Sequence, residues 1–224
     1  MYNFIKALLV SFCLLSLTSC IELIDDLTLN SDGSGKFKYT INLSSSKTEV
    51  TSLLALDSID GHRVPKVSEI KLQISQFEKQ MLSQPGILNV NIESDWQNYI
   101  FKFSCDFDNL DNLQNALRNS VDNMNLNGYK LYYESNWINW SGTYLTRDIP
   151  NLVTDQLFNS KYIKEEELKF AKYTTISRFD KEITRFDNNL TILSKNKKAA
   201  MIQTDLHSLI INPNKLDDKI FISN

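Results

Sequence analysis

Leu23-Ile24-Asp25-Asp26-Leu27-Thr28-Leu29-Asn30-Ser31-Asp32-Gly33-Ser34-Gly35-Lys36-Phe37-Lys38-Tyr39-Thr40-Ile41-Asn42-Leu43 is the stretch that decides the fold class. Leu23, Leu27 and Leu29 stand at odd positions, and so do Phe37, Tyr39, Ile41 and Leu43. A period of two puts these side chains on one face of a strand, which is then the buried face. Between the runs, Asp32-Gly33 supplies the positive φ of a tight turn, and Gly35 suits a bulge that matches strand twist. The segment therefore reads as a β-hairpin. A calcium loop is the competing reading of Asp32-Gly33-Ser34-Gly35, but it needs several convergent carboxylates and this loop offers one.

Downstream the period changes to that of a helix. Thr48–Leu56 fits a short helix before a turn at Asp60-Gly61. Val67, Ile70, Ile74, Phe77 and Met81 form one apolar stripe, bounded by Pro65 and by Pro85-Gly86. Leu88, Val90 and Ile92 alternate again, Ser94–Asn98 turns, and Tyr99, Phe101, Phe103, Cys105 and Phe107 share a face. A second helix starts at Asp108 or Asn109, either a good N-cap, with Leu110, Leu113, Leu117, Val121 and Met124 as its stripe and Gly128 at its C-cap. A third strand pair is expected from Tyr129, Leu131 and Tyr133 with residues near Trp137–Leu145.

The order is hairpin, helix, hairpin, helix, hairpin. It predicts an α+β fold: an antiparallel sheet of hairpins with two main helices on one face, followed by a β-rich C-terminal segment. The expected divisions are 1–19, 20–149, a polar connection over 150–172 with helical pieces at Asn151–Phe158 and Glu165–Ala171, and 173–224 packed on the same domain. In the last segment Thr175–Phe179, Leu190–Ser194 and Ala199–Thr204 read as strands. Lys195-Asn196-Lys197 reads as a turn, Asp205–Asn212 as a turn or short helix, and Ile220–Ile222 as a last edge strand.

The amino terminus has a different character. Lys6 precedes the apolar run Ala7–Leu17, which has the length of a signal-peptide core and falls well short of the roughly 20 residues that span a bilayer. It ends in Leu17-Thr18-Ser19-Cys20, which resembles the lipobox of bacterial lipoproteins. That motif implies cleavage between Ser19 and Cys20 and lipidation of the Cys20 thiol. An ordinary cleaved signal would prefer a small residue at Leu17 or Cys20, and an uncleaved anchor would need a longer run. Two or three acyl chains on Cys20 would hold the chain durably to a membrane, where one binds only reversibly.

Without residues 1–19 and their Lys6, 23 Lys+Arg remain against 27 Asp+Glu, a net charge of −4. Such a surface does not fit nucleic acid as a partner. Cys13 leaves with the signal and Cys20 is modified. Cys105 then stands alone, no intrachain disulfide can form, and one thiol with His62 and His207 makes no metal cluster. Cys105 lies among aromatic positions and reads as a packed core thiol rather than a reactive one.

Leu29–Gly35 between two strands, Phe101–Leu110 entering a helix, and Ile176-Ser177-Arg178-Phe179 through Asp205 together resemble bacterial envelope lipoproteins of the LppM type. The resemblance implies an extracytoplasmic α+β domain on a lipid anchor and a role in binding lipid or glycolipid. It brings no catalytic residues.

The residues themselves supply none either. There is no Gly-rich phosphate loop, no Gly-x-Ser-x-Gly and no His-Glu-x-x-His. The expected function is that of a non-enzymatic lipoprotein of the cell envelope, placed at the outer membrane, which binds a lipid or another amphiphile. No cofactor is expected. The alternative is an assembly protein that docks onto another envelope protein. Tyr129, Tyr132, Tyr133, Trp137, Trp140 and Tyr144 are candidates for a binding surface, although half of them suffice for core and the rest for sheet cover. Lys195–Lys198 is either a headgroup contact or a solvated hairpin tip. Glu165-Glu166-Glu167 reads as an exposed helical face. Asp25 and Asp26 follow the anchor closely, where acidic residues contribute to surface export in some bacteria.

Overall fold

A computed structural model describes residues 21–59, 61–122, 136–148 and 165–223. The alternating stretch forms the hairpin its period requires. β1 (Glu22–Leu29) pairs antiparallel with β2 (Gly35–Asn42), from Leu29 opposite Gly35 to Glu22 opposite Asn42. Gly33 takes φ +89°, and the Trp140 indole lies 3.6 Å from where its Cβ would stand. Gly35 is required by close approach: a Cβ there would collide with the Thr28 carbonyl oxygen and stand 2.6 Å from the Phe107 ring. The Asp32 carboxylate accepts from the Ser34 amide at 2.9 Å and from the Ser34 hydroxyl at 2.6 Å, which closes its own turn.

The helices follow their stripes. α1 (Lys47–Leu54) precedes a short strand pair, β3 (Ser58–Ile59) with β4 (His62–Arg63). α2 (Val67–Leu82) leads into the second hairpin, β5 (Ile87–Asp95) with β6 (Ile100–Phe107). α3 (Leu110–Asp122) is capped by Asn109, whose side-chain oxygen accepts from the Asn112 amide at 2.8 Å. Later come β7 (Ile138–Trp140), β8 (Tyr144–Arg147), α4 (Glu165–Phe170), β9 (Lys172–Phe179), β10 (Ile183–Phe186), β11 (Ile192–Leu193), β12 (Ala199–Asp205), α5 (Leu206–Ile211) and β13 (Asp218–Ile222). Asp205 caps α5 by accepting from the Ser208 amide at 2.7 Å.

The fold class is α+β, with several corrections to the expected arrangement. The main sheet is mixed rather than antiparallel. Its seven strands run β11-β12-β9-β1-β2-β6-β5, and β9 lies parallel to β1 with Glu22 opposite Lys172. A parallel neighbour needs a long crossover and no local turn, so period-two alternation cannot reveal it. The third hairpin does not continue this sheet. Trp137–Leu145 breaks at Ser141-Gly142 into β7 and β8, which belong to a second sheet ordered β10-β13-β8-β7. β13, expected at an edge, lies inside that sheet between β10 and β8. In β5 the expected alternation from Leu88 is shifted. Asn89 takes φ +50° at a bulge, so Ile87 is buried while Leu88 is exposed. One extra residue in a strand reverses the facing of everything before it. Tyr129–Tyr133, Gly128 and Asn151–Phe158 lie outside the described residues.

Leu27, Leu29, Phe37, Cys105 and Phe107 share one face of the main sheet. Met81 of α2, Leu113 and Ala116 of α3, and Ile138, Leu145 and Ile220 of the second sheet close over them in one apolar cluster. The helices and the small sheet therefore lie side by side on the same face. The opposite face is polar, crossed by Lys36–Asp106 at 3.2 Å and Arg178–Asp26 at 2.8 Å. Antiparallel neighbours tolerate water on one side in this way. A second cluster of Leu168, Ala171, Ile202, Leu206, Leu209, Ile210 and Leu216 lies under α4 and α5, with Ile21, Leu23 and Tyr173 packed against it.

Candidate functional site

Ser19 and Cys20 precede the first described residue, Ile21. Ile21 is itself held in place: its carbonyl accepts from the Lys172 amide at 2.7 Å, and its side chain packs on the second apolar cluster. A covalent load on Cys20 would thus sit two peptide bonds from Glu22, the first residue of a central strand.

Asp25 and Asp26 are both built into the sheet. Asp26 faces the polar side, where Arg178 donates to it through Nε at 2.8 Å and Nη2 at 3.1 Å. Asp25 points inward, at a position where the odd-numbered pattern of β1 expects an apolar side chain. It meets Arg147 of β8, whose Nη1 donates to Asp25 Oδ2 at 2.8 Å, with both side chains at most 6% exposed. This pair bridges the two sheets. Among the described residues, Asp25 Oδ1 and Arg147 Nε and Nη2 have no protein partner. Arg147 borders a cavity of about 10 Å³ that is also lined by Thr175, Ser177 and Asp218 together with apolar neighbours. That is room for about one water molecule, and far below the several hundred Å³ of a small-molecule pocket. Asp218 is satisfied separately, accepting from the Asp187, Asn188 and Lys219 amides and from the Thr191 hydroxyl at 2.6 Å. The arrangement fits a polar clamp between layers.

A second polar joint secures the small sheet to α3. Gln114, fully buried, accepts from the Trp137 amide at 2.8 Å and the Ile138 amide at 3.0 Å. Its Nε2 donates to the Ile138 carbonyl at 2.9 Å. The side-chain amide thereby takes the place of a neighbouring strand along the outer edge of β7.

The described aromatic candidates do not form one surface. Trp137 and Trp140 pack against the main core, Trp140 stacked on Phe179 with ring centres 6.2 Å apart. Tyr144 lies instead against Phe221 at 5.5 Å, with Lys219 Nζ 4.1 Å from its ring centre. Tyr129, Tyr132 and Tyr133 lie outside the described residues. Lys195–Lys198 forms the exposed β11–β12 tip, and Lys198 Nζ donates to the Asp180 carbonyl at 2.6 Å. Ala199 aligns through Arg178 with Thr28, so this tip stands at the end of the sheet opposite Ile21.

Among the described residues no group of three or more His, Cys, Asp and Glu side chains gathers to hold a metal ion, and no helix is long and apolar enough to cross a membrane. His62 falls on β4 and His207 on α5. Cys105 is fully buried opposite Phe37, and burial pushes its thiol up to about 12, with the Asp106 carboxylate adding to the shift. The thiolate is the nucleophile. Iodoacetamide at pH 8 is therefore expected to leave Cys105 unmodified in the folded protein and to alkylate it in urea, as read by mass. Full labelling without urea would overturn this core assignment.

No family model matches the chain, and no curated protein matches it. Among solved structures it is similar to the NMR structure of the folded domain of Mycobacterium tuberculosis LppM. The identity is 8%, 91% of this chain and 90% of that chain are covered, and the TM-score is 0.39. A likeness of that size supports no argument about topology or role.

Proposed function

We propose that this chain is a bacterial envelope lipoprotein. It is cleaved between Ser19 and Cys20, acylated on Cys20, and presents its α+β domain at the membrane as a non-enzymatic module. The observation that carries this reading is the apolar run ending in Leu17-Thr18-Ser19-Cys20, with strand β1 beginning at Glu22. A folded strand two residues after the cysteine leaves no flexible tether, so the anchor holds the domain close to the lipid. Docking onto another envelope protein is favoured over holding a lipid inside. Met81, Leu113, Ala116 and Phe107 fill the space between helices and sheet, where an internal ligand would otherwise sit.

The test is growth with labelled palmitate followed by membrane fractionation. The natural chain is expected to take up label and stay with the membranes, and Cys20→Ser to lose both. A Cys20→Ser chain that remains membrane-bound, or a natural chain whose mass shows an unmodified Cys20, would sink the proposal.

A further inference from the structure

Strand register sets six residues in one row across the main sheet: Asp95, Ile100, Asn42, Glu22, Lys172 and Asp205 are successive partners. At roughly 4.8 Å per strand this row is about 24 Å wide. β1 is the fourth of the seven strands, so Ile21 enters near the middle. Since one residue spans at most about 3.6 Å and Cys20 is two residues before Glu22, its backbone starts within about 7 Å of the row.

Two helices leave the same end on either side of that entry point. α1 follows β2. The Leu43 amide donates to the Tyr99 carbonyl at 3.0 Å, and the Thr51 and Tyr99 hydroxyls stand 3.0 Å apart, which ties α1 to the β5–β6 turn. α5 follows β12 directly, and the Leu206 amide donates to the Ala171 carbonyl at 2.9 Å. α1 buries none of its side chains. Leu53 is 47% exposed, Leu56 just after it 52%, and Ile211 at the end of α5 67%. Trp96 and Tyr99, half-buried, occupy the β5–β6 turn at the edge of this end, beside α1.

A helix of eight residues is marginal by itself in water, and α1 has no fully buried side chain to compensate. Val50 and Leu54 of α1 are half-buried and Leu53 is turned outward. A short helix that exposes a leucine can lie in a bilayer interface, and Trp and Tyr favour the headgroup level. Other large apolar side chains are exposed too, but Leu82 and Leu88 are placed near the opposite end, where β5 starts. What distinguishes the Ile21 end is the attachment point in its midst.

We propose that the end of the main sheet containing Ile21 rests on the bilayer, with Leu53, Leu56 and Ile211 entering the headgroup boundary. This orientation rests on the reading that Cys20 is acylated, and goes beyond it by assigning the face that meets lipid. The polar Lys195–Lys198 tip and the Asp32-Gly33 turn then point away from the membrane.

The test uses the full acylated chain purified from cells and reconstituted into vesicles of equal parts phosphatidylethanolamine and phosphatidylglycerol. Leu56→Cys, Ile211→Cys and, as the distal control, Asn196→Cys each receive an environment-sensitive fluorophore, and mass spectrometry checks the lipid on Cys20. With nitroxide-bearing lipid present, emission at 56 and 211 is expected to fall about twofold or more, as it does for groups seated in the acyl boundary, while emission at 196 stays unchanged. Acylated protein in which 56 and 211 are quenched no more than 196 would overturn the orientation alone. Labels shielded from water but not quenched by lipid would also overturn it, in favour of a second copy or a protein on this face. An unmodified Cys20 would overturn the anchored reading and the orientation together.

Discussion

Arg147→Met is expected to lower the stability of the domain by about 3–5 kcal/mol, the usual cost of removing one partner from a buried ion pair. Asp25 stays behind at 4% exposure with its charge uncompensated, on a strand whose neighbours on both sides are paired. Bulk water cannot hydrate it fully without separating the two sheets, because the pair lies between β1 and β8. Equilibrium urea unfolding followed by tryptophan emission measures the loss, with Trp137 and Trp140 as reporters inside the joint. Asp25→Leu combined with Arg147→Met removes both charges and is expected to regain most of that stability, as replacement of buried pairs by apolar groups commonly does. A single-variant loss under about 1 kcal/mol would place the pair in the class of solvent-screened surface bridges and refute the clamp.

Gln114→Leu is expected to cost roughly 3–6 kcal/mol. Leucine has similar volume, so the effect comes from polar groups left alone. The Trp137 and Ile138 amides and the Ile138 carbonyl lose their partner at a buried edge, and each stranded group costs about 1–3 kcal/mol. Gln114→Glu is expected to cost at least as much, since its carboxylate keeps the two acceptor contacts but turns an oxygen toward the Ile138 carbonyl and buries an unpaired charge. The loss should appear in urea unfolding, and amide hydrogen exchange at residues 137 and 138 should accelerate before the rest of the sheet opens. If exchange there is unchanged in the leucine variant, the side-chain amide is not what holds the edge of β7.

Neither effect is visible in the chain read as a string. Asp25 and Asp26 are adjacent acids beside the anchor, and they invite one shared explanation. Alternation sends them to opposite faces, and Asp25 becomes inward only because Arg147, 122 positions later, meets it there. Gln114 falls beside Leu113 on a helix whose stripe already accounts for its packing. Its role depends on β7, a three-residue strand contributed by a distant segment. The aromatic run likewise divided once β7 and β8 turned back on each other and sent Trp140 to the core and Tyr144 elsewhere.

The sequence by itself determined the local elements: the 23–43 hairpin, the short helix α1, α2 and α3 with their stripes, the Ser94–Asn98 turn, a cap at Asp108 or Asn109, and the buried Cys105. These depend on contacts a few residues apart, so side-chain period and turn chemistry are enough to specify them. The proposed lipobox ending at Cys20 is likewise a motif read in linear order. Only the tertiary structure decided that β9 would lie parallel to β1, that residues 136–148 would join β10 and β13 in a second sheet, and that Asp25 would be clamped by Arg147. Those pairings join segments far apart in the chain, Glu22 with Lys172, Asp25 with Arg147 and Arg147 with Asp218, and their register is chosen by apolar burial and charge compensation between segments that share no local signal.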